Sequence, residues 1–181
     1  MEVAIRPERP GDQVAVSEVQ TAAFADGGQV AGLVAALRAT PAALAAASFV
    51  ATVGDSVVGH VMLSASRLDA PPRLVSVYVL SPLGVVPQLQ SRGIGTALVR
   101  HALAAARDRP APLVFLEGSP EYYGKRGFER AGDLGFRRPS LRIPPEAFQV
   151  ARMPGYESWM TGTLVYSDPF WAHDCVGLRE A

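Results

Sequence analysis

The sequence is poor in several residue types and patterns that would otherwise define its class. Among its 181 residues Cys175 is the only cysteine, which excludes a disulfide within the sequence and a metal site built from several cysteines. Its formal net charge is zero, so no bulk charge attracts nucleic acid or a membrane surface. We therefore expect a cytoplasmic protein with no bound metal, no nucleic acid partner and no membrane partner.

Uninterrupted apolar runs are also missing. Residues 39–54 carry Pro41 and Ser48, and residues 74–91 carry Pro82, Gly84 and Pro87, so neither run is typical of a membrane-spanning helix. Residues 1–7 show no apolar stretch behind a basic start, and we expect no secretory signal there. The 49% hydrophobic and 19% charged content is instead typical of one folded globular domain.

Hydrophobic periodicity and turn residues predict strands mixed with helices. Strands are expected at 3–5, 48–53, 56–63, 74–85, 113–116, 128–131 and 159–166. Helices are expected at 12–24, 30–37, 94–105 and 121–125, with Asp12 and Ser119 at the starts of the first and last. Residues 67–72 are predicted as a loop, and prolines dominate residues 136–154, where no helix or strand is assigned. The pattern indicates an α+β, or mixed α/β, domain with a mostly antiparallel sheet and one strand-to-helix crossover.

A glycine turn joins the longest predicted strand to the helix at 94–105. Pro87 ends the strand, and Gly93 and Gly95 lie where the helix begins. The first N–H groups of a helix have no intrahelical partner and its dipole favours negative charge there, so the turn predicts an anion site for phosphate.

Two other phosphate-binding motifs, the P-loop and the dinucleotide site, are alternatives for this turn. A P-loop is excluded because no Gly-x-x-x-x-Gly-Lys-Ser/Thr occurs. A dinucleotide site of the Rossmann type is the more serious rival, since Glu117 follows the next strand where a ribose-binding acid would stand. Against it, Leu98 takes the position of the third glycine, and Pro87 ends the strand well before Gly93.

The residues around the turn resemble a known signature. Leu83-x-Val85-x-Pro87-x-x-Gln90-x-x-Gly93-Ile94-Gly95 is similar to the acetyl-CoA motif of the GNAT superfamily of N-acetyltransferases, whose core is Gln/Arg-x-x-Gly-x-Gly/Ala. Downstream, residues 122–128 (Tyr-Tyr-Gly-Lys-Arg-Gly-Phe) resemble that family's Phe-Tyr-x-x-x-Gly-Phe. The run at 161–166, with the prolines before it, resembles the YhbS-like branch. The resemblance implies one GNAT-like domain over residues 1–181, with a core at 1–135, a family-specific extension at 136–181, and a sheet splayed near Val85.

The same resemblance implies an activity and its residues. An acetyl group would pass from acetyl-CoA to a primary amine of a small molecule or peptide, by direct attack in a ternary complex. A backbone N–H near Val85 would polarise the thioester carbonyl, and Tyr123 would act as the general acid. The implied cofactor-binding residues are Val85, Val86, Pro87, Gln90, Ser91, Arg92, Gly93, Ile94, Gly95 and Thr96.

The general base is left open, because the strand at 74–80 contains no acidic residue. Glu117 and Glu121 are the nearest candidates along the sequence, and His60 on the predicted hairpin is another. The missing acid also motivates a second hypothesis, a non-catalytic module that binds CoA or acyl-CoA, and an NAD-dependent oxidoreductase is a distant third. Three roles are open for the aromatic residues at 159–173: they cover the acceptor pocket, form a homodimer contact or belong to the core.

Overall fold

The computed structural model describes residues 2–42 and 44–179. The first half of the chain forms two helices followed by a meander of long strands. Its elements are β1 (Ala4–Pro7), α1 (Gln13–Phe24), α2 (Gln29–Ala39), β2 (Ala47–Val53), β3 (Ser56–Asp69) and β4 (Leu74–Val85). The second half contains α3 (Ile94–Arg107), β5 (Leu113–Glu117), α4 (Pro120–Gly124), β6 (Glu129–Arg130), β7 (Phe136–Arg137), β8 (Phe148–Arg152), β9 (Gly162–Val165) and α5 (Asp168–Ala172).

The nine strands in the described residues form one sheet. Its main path runs β1-β2-β3-β4-β5-β8-β6, and β9 pairs with both β3 and β7. Most neighbours are antiparallel, whereas β4 and β5 are parallel and pair only at Tyr78–Val114 and Val79–Phe115. The predicted fold class is therefore confirmed: a mixed α/β domain with a mostly antiparallel sheet whose two central strands separate beyond Val79. A doubly wound parallel sheet, which a Rossmann site requires, is not what these residues form.

Helices cover both faces of the sheet. On one face Val16 of α1, Leu33 of α2 and Phe170 of α5 belong to one buried cluster. On the other face α3 buries the stripe Ile94, Leu98, Val99, Ala102 and Ala106 against the opposite side of the strands. Because β4 and β5 are covered on both faces, they are apolar at nearly every position, as the sequence indicated. The place where they separate is thus enclosed by helices on two sides.

Several local expectations differ from the structure. Asp12 does not cap α1: its carboxylate pairs with the Arg6 guanidinium at 2.6 and 2.9 Å and accepts the Arg9 N–H. The first half of the predicted loop at 67–72 is strand, because Arg67–Asp69 of β3 pair with β4 on one side and with β9 on the other. By contrast, the Ser119 cap is confirmed, since its hydroxyl accepts the Tyr122 N–H at 3.2 Å.

The largest difference lies in the proline-rich segment. Residues 148–152 form β8, which pairs with β5 along its whole length from Leu113 to Glu117. A segment in which no strand is predicted from the sequence therefore supplies the neighbour that holds β5 in place after β5 has left β4. Among the described residues, no helix is both long and apolar enough to cross a membrane.

Candidate active site

The separation of β4 from β5 creates an opening in the middle of the sheet. Opposite β3, the pairing passes from Leu80–Leu63 to Leu83–Val61, so Ser81 and Pro82 form a bulge on β4. A bulge bends its strand and gives up ladder hydrogen bonds. Meanwhile β5 continues straight to Glu117 against β8. The opening is thus bordered by the Ser81–Pro82 bulge on one side and by Glu117 on the other.

The end of β4 presents free backbone groups to this opening. The Val86 N–H donates to the Val58 carbonyl on the β3 side at 3.0 Å. Since successive residues of a strand point their backbone groups in opposite directions, those of Val85 face away from β3. Consistently, the Val85 carbonyl accepts the Gln90 side-chain amide at 3.0 Å. Leu83, Val85 and Gln90 line a cavity of about 490 Å³ on the α3 face of the sheet.

The start of α3 forms the other wall of this cavity. Gly93 has φ +84°, a left-handed conformation that favours glycine, and Ser91 is also left-handed at +59°. Ala97 donates to the Gly93 carbonyl, so the N–H groups of Ile94, Gly95 and Thr96 before it have no partner within the helix. These donors and the positive end of the helix dipole make the wall an anion site.

Tyr122 of α4 and Arg126 just after it complete this cavity. Neither is among the cofactor residues predicted from the sequence. The Arg126 guanidinium lies 3.5 Å from the centre of the Tyr122 ring and donates to the Thr96 hydroxyl at 2.6 Å. A Cβ on Gly95 would lie 2.5 Å from the Tyr122 hydroxyl, so glycine there makes room for Tyr122. Arg126 thereby adds a positive charge beside the free N–H groups of α3.

Not every predicted cofactor residue reaches this cavity. Its lining includes Val85, Gln90, Ser91, Gly93, Gly95 and Thr96 from the prediction. Val86, Pro87, Arg92 and Ile94 lie in the same turn but outside the lining, and Ile94 is instead buried against the sheet. Leu83, Leu89, Tyr122 and Arg126 take part in addition. Six of the ten predicted cofactor residues thus line one cavity, together with residues of and just after α4 that were not predicted.

A second cavity, of about 290 Å³, lies on the opposite face of the sheet at the same opening. It is lined by Ser81 and Pro82 of the bulge, by Glu117, and by the C-terminal residues Tyr166 and Phe170. The Glu117 carboxylate accepts the Tyr166 hydroxyl at 2.8 Å and the Gly177 N–H at 2.9 Å. Burial raises the pKa of Glu117 above its ordinary value, although these two hydrogen bonds and the charge of Arg142 oppose the rise.

His60, another candidate base, lies in a closed polar cluster under α1. Its side chain has no solvent exposure, and its ring nitrogens lie 2.6 Å from the Gln20 amide and 2.8 Å from the Ser48 hydroxyl. The Glu8 carboxylate is 3.7 Å away and also pairs with Arg38. Burial lowers the pKa of His60, and the structure locates the ring outside the lining of both cavities.

Tyr123 packs at the end of β5, beside the opening. Its ring lies so close to the Cα of Gly118 that no Cβ would fit there, and it makes edge-to-face contacts with Tyr122 and Phe128. Burial raises the pKa of the Tyr123 hydroxyl above its ordinary value, which keeps it protonated at neutral pH. Tyr123 is not part of the lining of either cavity, whereas Tyr122 lines the one on the α3 face.

Comparisons with known proteins agree with this geometry. Residues 4–131 match the family model described as an acetyltransferase (GNAT) domain, and the chain therefore belongs to the GNAT family of acetyltransferases. It is 30% identical over 158 residues to the uncharacterised N-acetyltransferase YjhQ of Escherichia coli K12, covering 85% of this chain and 86% of that protein. The chain is thus a GNAT-type N-acetyltransferase, an acyltransferase, as the sequence predicted.

Solved structures give the same result. The GNAT family protein YhbS of Escherichia coli in complex with CoA superimposes with a TM-score of 0.82 at 25% identity, covering 94% of this chain and 92% of that one. A GNAT family acetyltransferase of Brucella melitensis in complex with acetyl-CoA gives 0.73 at 29% identity, covering 93% and 98%. The predicted resemblance to the YhbS-like branch is confirmed. Within the described residues, no group of three or more His, Cys, Asp or Glu side chains is arranged to hold a metal ion.

Proposed function

We propose that this protein transfers the acetyl group of acetyl-CoA to a primary amine, by direct attack of the amine in a ternary complex. The observation that carries the proposal is the opening between β4 and β5, which has an anion-binding cavity on one face of the sheet and a buried carboxylate on the other. Two reactants entering from opposite faces would meet there without a covalent enzyme intermediate, so positioning supplies much of the rate.

The residues of the α3-face cavity fit acetyl-CoA, which when bound supplies an activated thioester. The free N–H groups from Ile94 to Thr96 and the Arg126 guanidinium suit a pyrophosphate. The backbone groups of Leu83 and the Val85 N–H, which face away from β3, suit an extended amide-bearing chain that would pair with β4 where β5 has moved away, whereas the Val85 carbonyl already accepts the Gln90 side-chain amide. The Val85 N–H, which faces the opening, is the donor that we assign to the thioester carbonyl.

Glu117 is the residue that we assign as the general base. An alkylamine with a pKa near ~10 is protonated at neutral pH and must lose a proton before it attacks. The raised pKa of the buried Glu117 carboxylate makes it a better proton acceptor than an exposed glutamate. Both of its oxygens are held by neutral donors, Tyr166 and Gly177, and each retains a further acceptor position. His60 has no such access, and we assign it a structural role.

Tyr123 is the residue that we assign as the general acid. Its hydroxyl is protonated at neutral pH, and burial raises its pKa further, which makes the phenol a weaker acid. Transfer of its proton to the thiolate leaving group therefore depends on a direct hydrogen bond between the two in the ternary complex. Its ring lies next to Gly118, one residue beyond Glu117, and packs edge-to-face on Tyr122, which lines the α3-face cavity. Tyr123 itself lies outside the lining of both cavities, so the acid role requires its hydroxyl to reach the thiolate past the Tyr122 ring. Tyr122, which lies against the first turn of α3, we assign to cofactor binding.

The test measures acetyl-CoA binding by calorimetry and turnover by release of the CoA thiol across a panel of amines. The single cysteine does not disturb such an assay, since burial raises the pKa of Cys175 to about 11 and leaves the thiol protonated and slow to react. Absence of acetyl-CoA binding by the folded protein would refute the proposal. Acetyl-CoA binding without release of the CoA thiol for any amine of the panel would instead identify a CoA-binding module.

The variant that tests the acid is Tyr123→Phe, with Tyr122→Phe as the matched control one residue away. We expect Tyr123→Phe to lower kcat about 10- to 100-fold with little change in acetyl-CoA affinity. Tyr122→Phe should leave kcat within about threefold, because it loses a hydroxyl that we place on the cofactor side. The reverse result would transfer the acid role to Tyr122.

A further inference from the structure

We infer that the protein has a further ligand site, which takes a small organic carboxylate, outside the two cavities at the opening. The site is a cavity of about 580 Å³, larger than either of them. Its lining shares Tyr166 with the cavity at Glu117 and no residue with the cavity on the α3 face. It lies where the sheet is interrupted beside residues 64–66 of β3, and we call it the gap cavity.

The interruption is on the side of β3 that faces away from β4. On that side β2 pairs with β3 as far as Leu63, and β9 pairs with it again from Arg67. Between these points residues 64–66 pair with β4 only, among the strands of the described chain. Such a gap corresponds to about 10 Å of strand, so it is too short for a further strand of ordinary length but wide enough for a small molecule.

Buried polar atoms without a hydrogen-bond partner are concentrated at the gap cavity. Six such side-chain atoms occur in the described residues, and four of them belong to the lining: the Oγ atoms of Ser64, Ser66 and Ser167, and Nε of Arg38. Ser64 and Ser66 are only 2% and 5% exposed. A serine hydroxyl turns about a single side-chain bond and can donate or accept. Because a buried polar group without a partner is costly, this concentration indicates that a ligand or ordered water completes the site.

The charged groups of the lining favour a ligand that accepts hydrogen bonds. Arg38 donates to Glu8 through a terminal nitrogen, but its Nε–H has no partner. The Arg67 guanidinium is exposed and forms no ion pair within residues 2–42 and 44–179. Guanidinium groups only donate, and their bonds to carboxylate oxygens are charge-assisted. The remaining polar residues with no charge carry hydroxyls: Thr40 and Ser76.

The single acid of the lining limits the charge that a ligand can carry. Asp168 is exposed and repels anions, whereas Arg67 is the one guanidinium of the lining that no carboxylate already holds. One negative charge on the ligand matches this balance, and the nearly two charges of a phosphate monoester exceed it. Leu37, Leu44 and Val165 supply apolar wall that suits a short hydrocarbon chain.

The experiment titrates the protein with butyrate and with butyramide, two molecules of nearly equal shape that differ in charge, and follows binding by NMR. Butyl phosphate and glycerol are further arms. We expect butyrate to bind at least fivefold more tightly than butyramide or butyl phosphate, both with and without saturating CoA. Arg67→Gln should remove the preference for butyrate over butyramide. Arg107→Gln, which changes an exposed arginine of α3 outside the lining, should keep it.

Two more variants separate a ligand site from a structural gap. Asp168→Asn should tighten butyrate binding at least twofold, because it removes the repelling charge. Ser66→Ala should weaken butyrate binding about threefold, yet leave Tm unchanged or higher, since the hydroxyl that it removes has no partner in the protein.

Equal binding of butyrate and butyramide by the wild-type protein would overturn the inference, and so would loss of the preference in both arginine variants. Tighter binding of butyl phosphate would overturn the carboxylate assignment. Absence of binding in every arm would show a gap filled by water only, and displacement of butyrate by CoA would locate butyrate in the α3-face cavity. Both results would also overturn the inference. The proposed function does not depend on these outcomes, since it is tested by acetyl-CoA binding and thiol release.

Discussion

Glu117 and His60 are both candidates for the general base from the sequence, and their surroundings in the fold separate them. His60 is fully buried and Glu117 is half-buried, and every polar atom of both side chains takes part in a hydrogen bond. The His60 ring is enclosed by β2, β3 and α1, so each of its contacts joins parts of the fold. Glu117 lies at the end of β5, which has separated from β4 there, and its carboxylate lines a cavity.

The comparison shows that burial alone does not indicate catalysis. Burial raises the pKa of Glu117 and lowers that of His60, and in each case it favours the uncharged form. What differs is access: a group can move a proton to a substrate only if the substrate reaches it. Substitutions at the two positions should therefore change different measurements.

Glu117→Gln should have the largest effect on activity. We expect kcat/KM to fall about 100-fold or more, because an amide cannot accept the proton, while acetyl-CoA affinity stays the same. The wild-type protein should lose activity as the pH falls through the raised pKa of Glu117. This loss of activity at low pH should be absent from the variant. Glu121→Gln, an exposed acid near the same opening, is the control and should keep wild-type turnover. Full activity of Glu117→Gln would remove the base assignment.

His60→Ala should act mainly on stability. It removes hydrogen bonds to Gln20 and Ser48 and leaves Glu8 with one fewer partner in a buried cluster, which should cost about 2 kcal/mol. In a domain of this size that corresponds to a loss of about 4–8 °C in Tm. Below the melting transition, kcat/KM should stay within about threefold of wild type. A drop in kcat/KM as large as that of Glu117→Gln would end the distinction between the two sites.

Arg126→Ala tests whether the two faces of the opening act independently. Loss of its charge-assisted contact should weaken acetyl-CoA binding about tenfold, measured by calorimetry, and the effect should shrink as salt is raised. The KM for the amine should not change, and neither should the loss of activity at low pH that depends on Glu117. Arg130→Ala, whose guanidinium is exposed and pairs only with nearby Asp133, serves as the control for lost surface charge. Equal effects of the two variants would exclude a specific role for Arg126.

Asp12→Asn should give the smallest effect. The Asp12 carboxylate is charged and paired with Arg6, but it lines neither of the two cavities. Arg6 holds the pKa of Asp12 at about 2, below its ordinary value of 3.8. The resulting stabilisation is complete above pH 3.8 and disappears as the pH falls through about 2. Because such pairs near the surface are screened, we expect a loss of about 1 kcal/mol at neutral pH in urea unfolding, and none near pH 2. A difference that persists at low pH would point to packing and not charge.

The parts of the site that follow from short-range chemistry were predictable from the sequence. Pro87, Gly93 and the apolar stripe of α3 identify the strand end, the turn and the helix within one continuous segment. The Arg126–Thr96 contact was not predictable, because it joins two elements that meet only after α3 has packed on the sheet. The same holds for β8, whose pairing with β5 spans the proline-rich segment and has no local signal.

The groups that hold the Glu117 carboxylate come from a different part of the chain than the carboxylate itself. The matched GNAT segment ends at residue 131, yet the two donors that hold the Glu117 carboxylate, Tyr166 and Gly177, lie beyond it. The cavity that we assign to acetyl-CoA is lined from Leu83 to Arg126, entirely within the matched segment, whereas both groups that donate to Glu117 come from the residues that follow it. Under these assignments, substitutions in the last third of the chain would change the surroundings of Glu117 without touching the lining of the acetyl-CoA cavity.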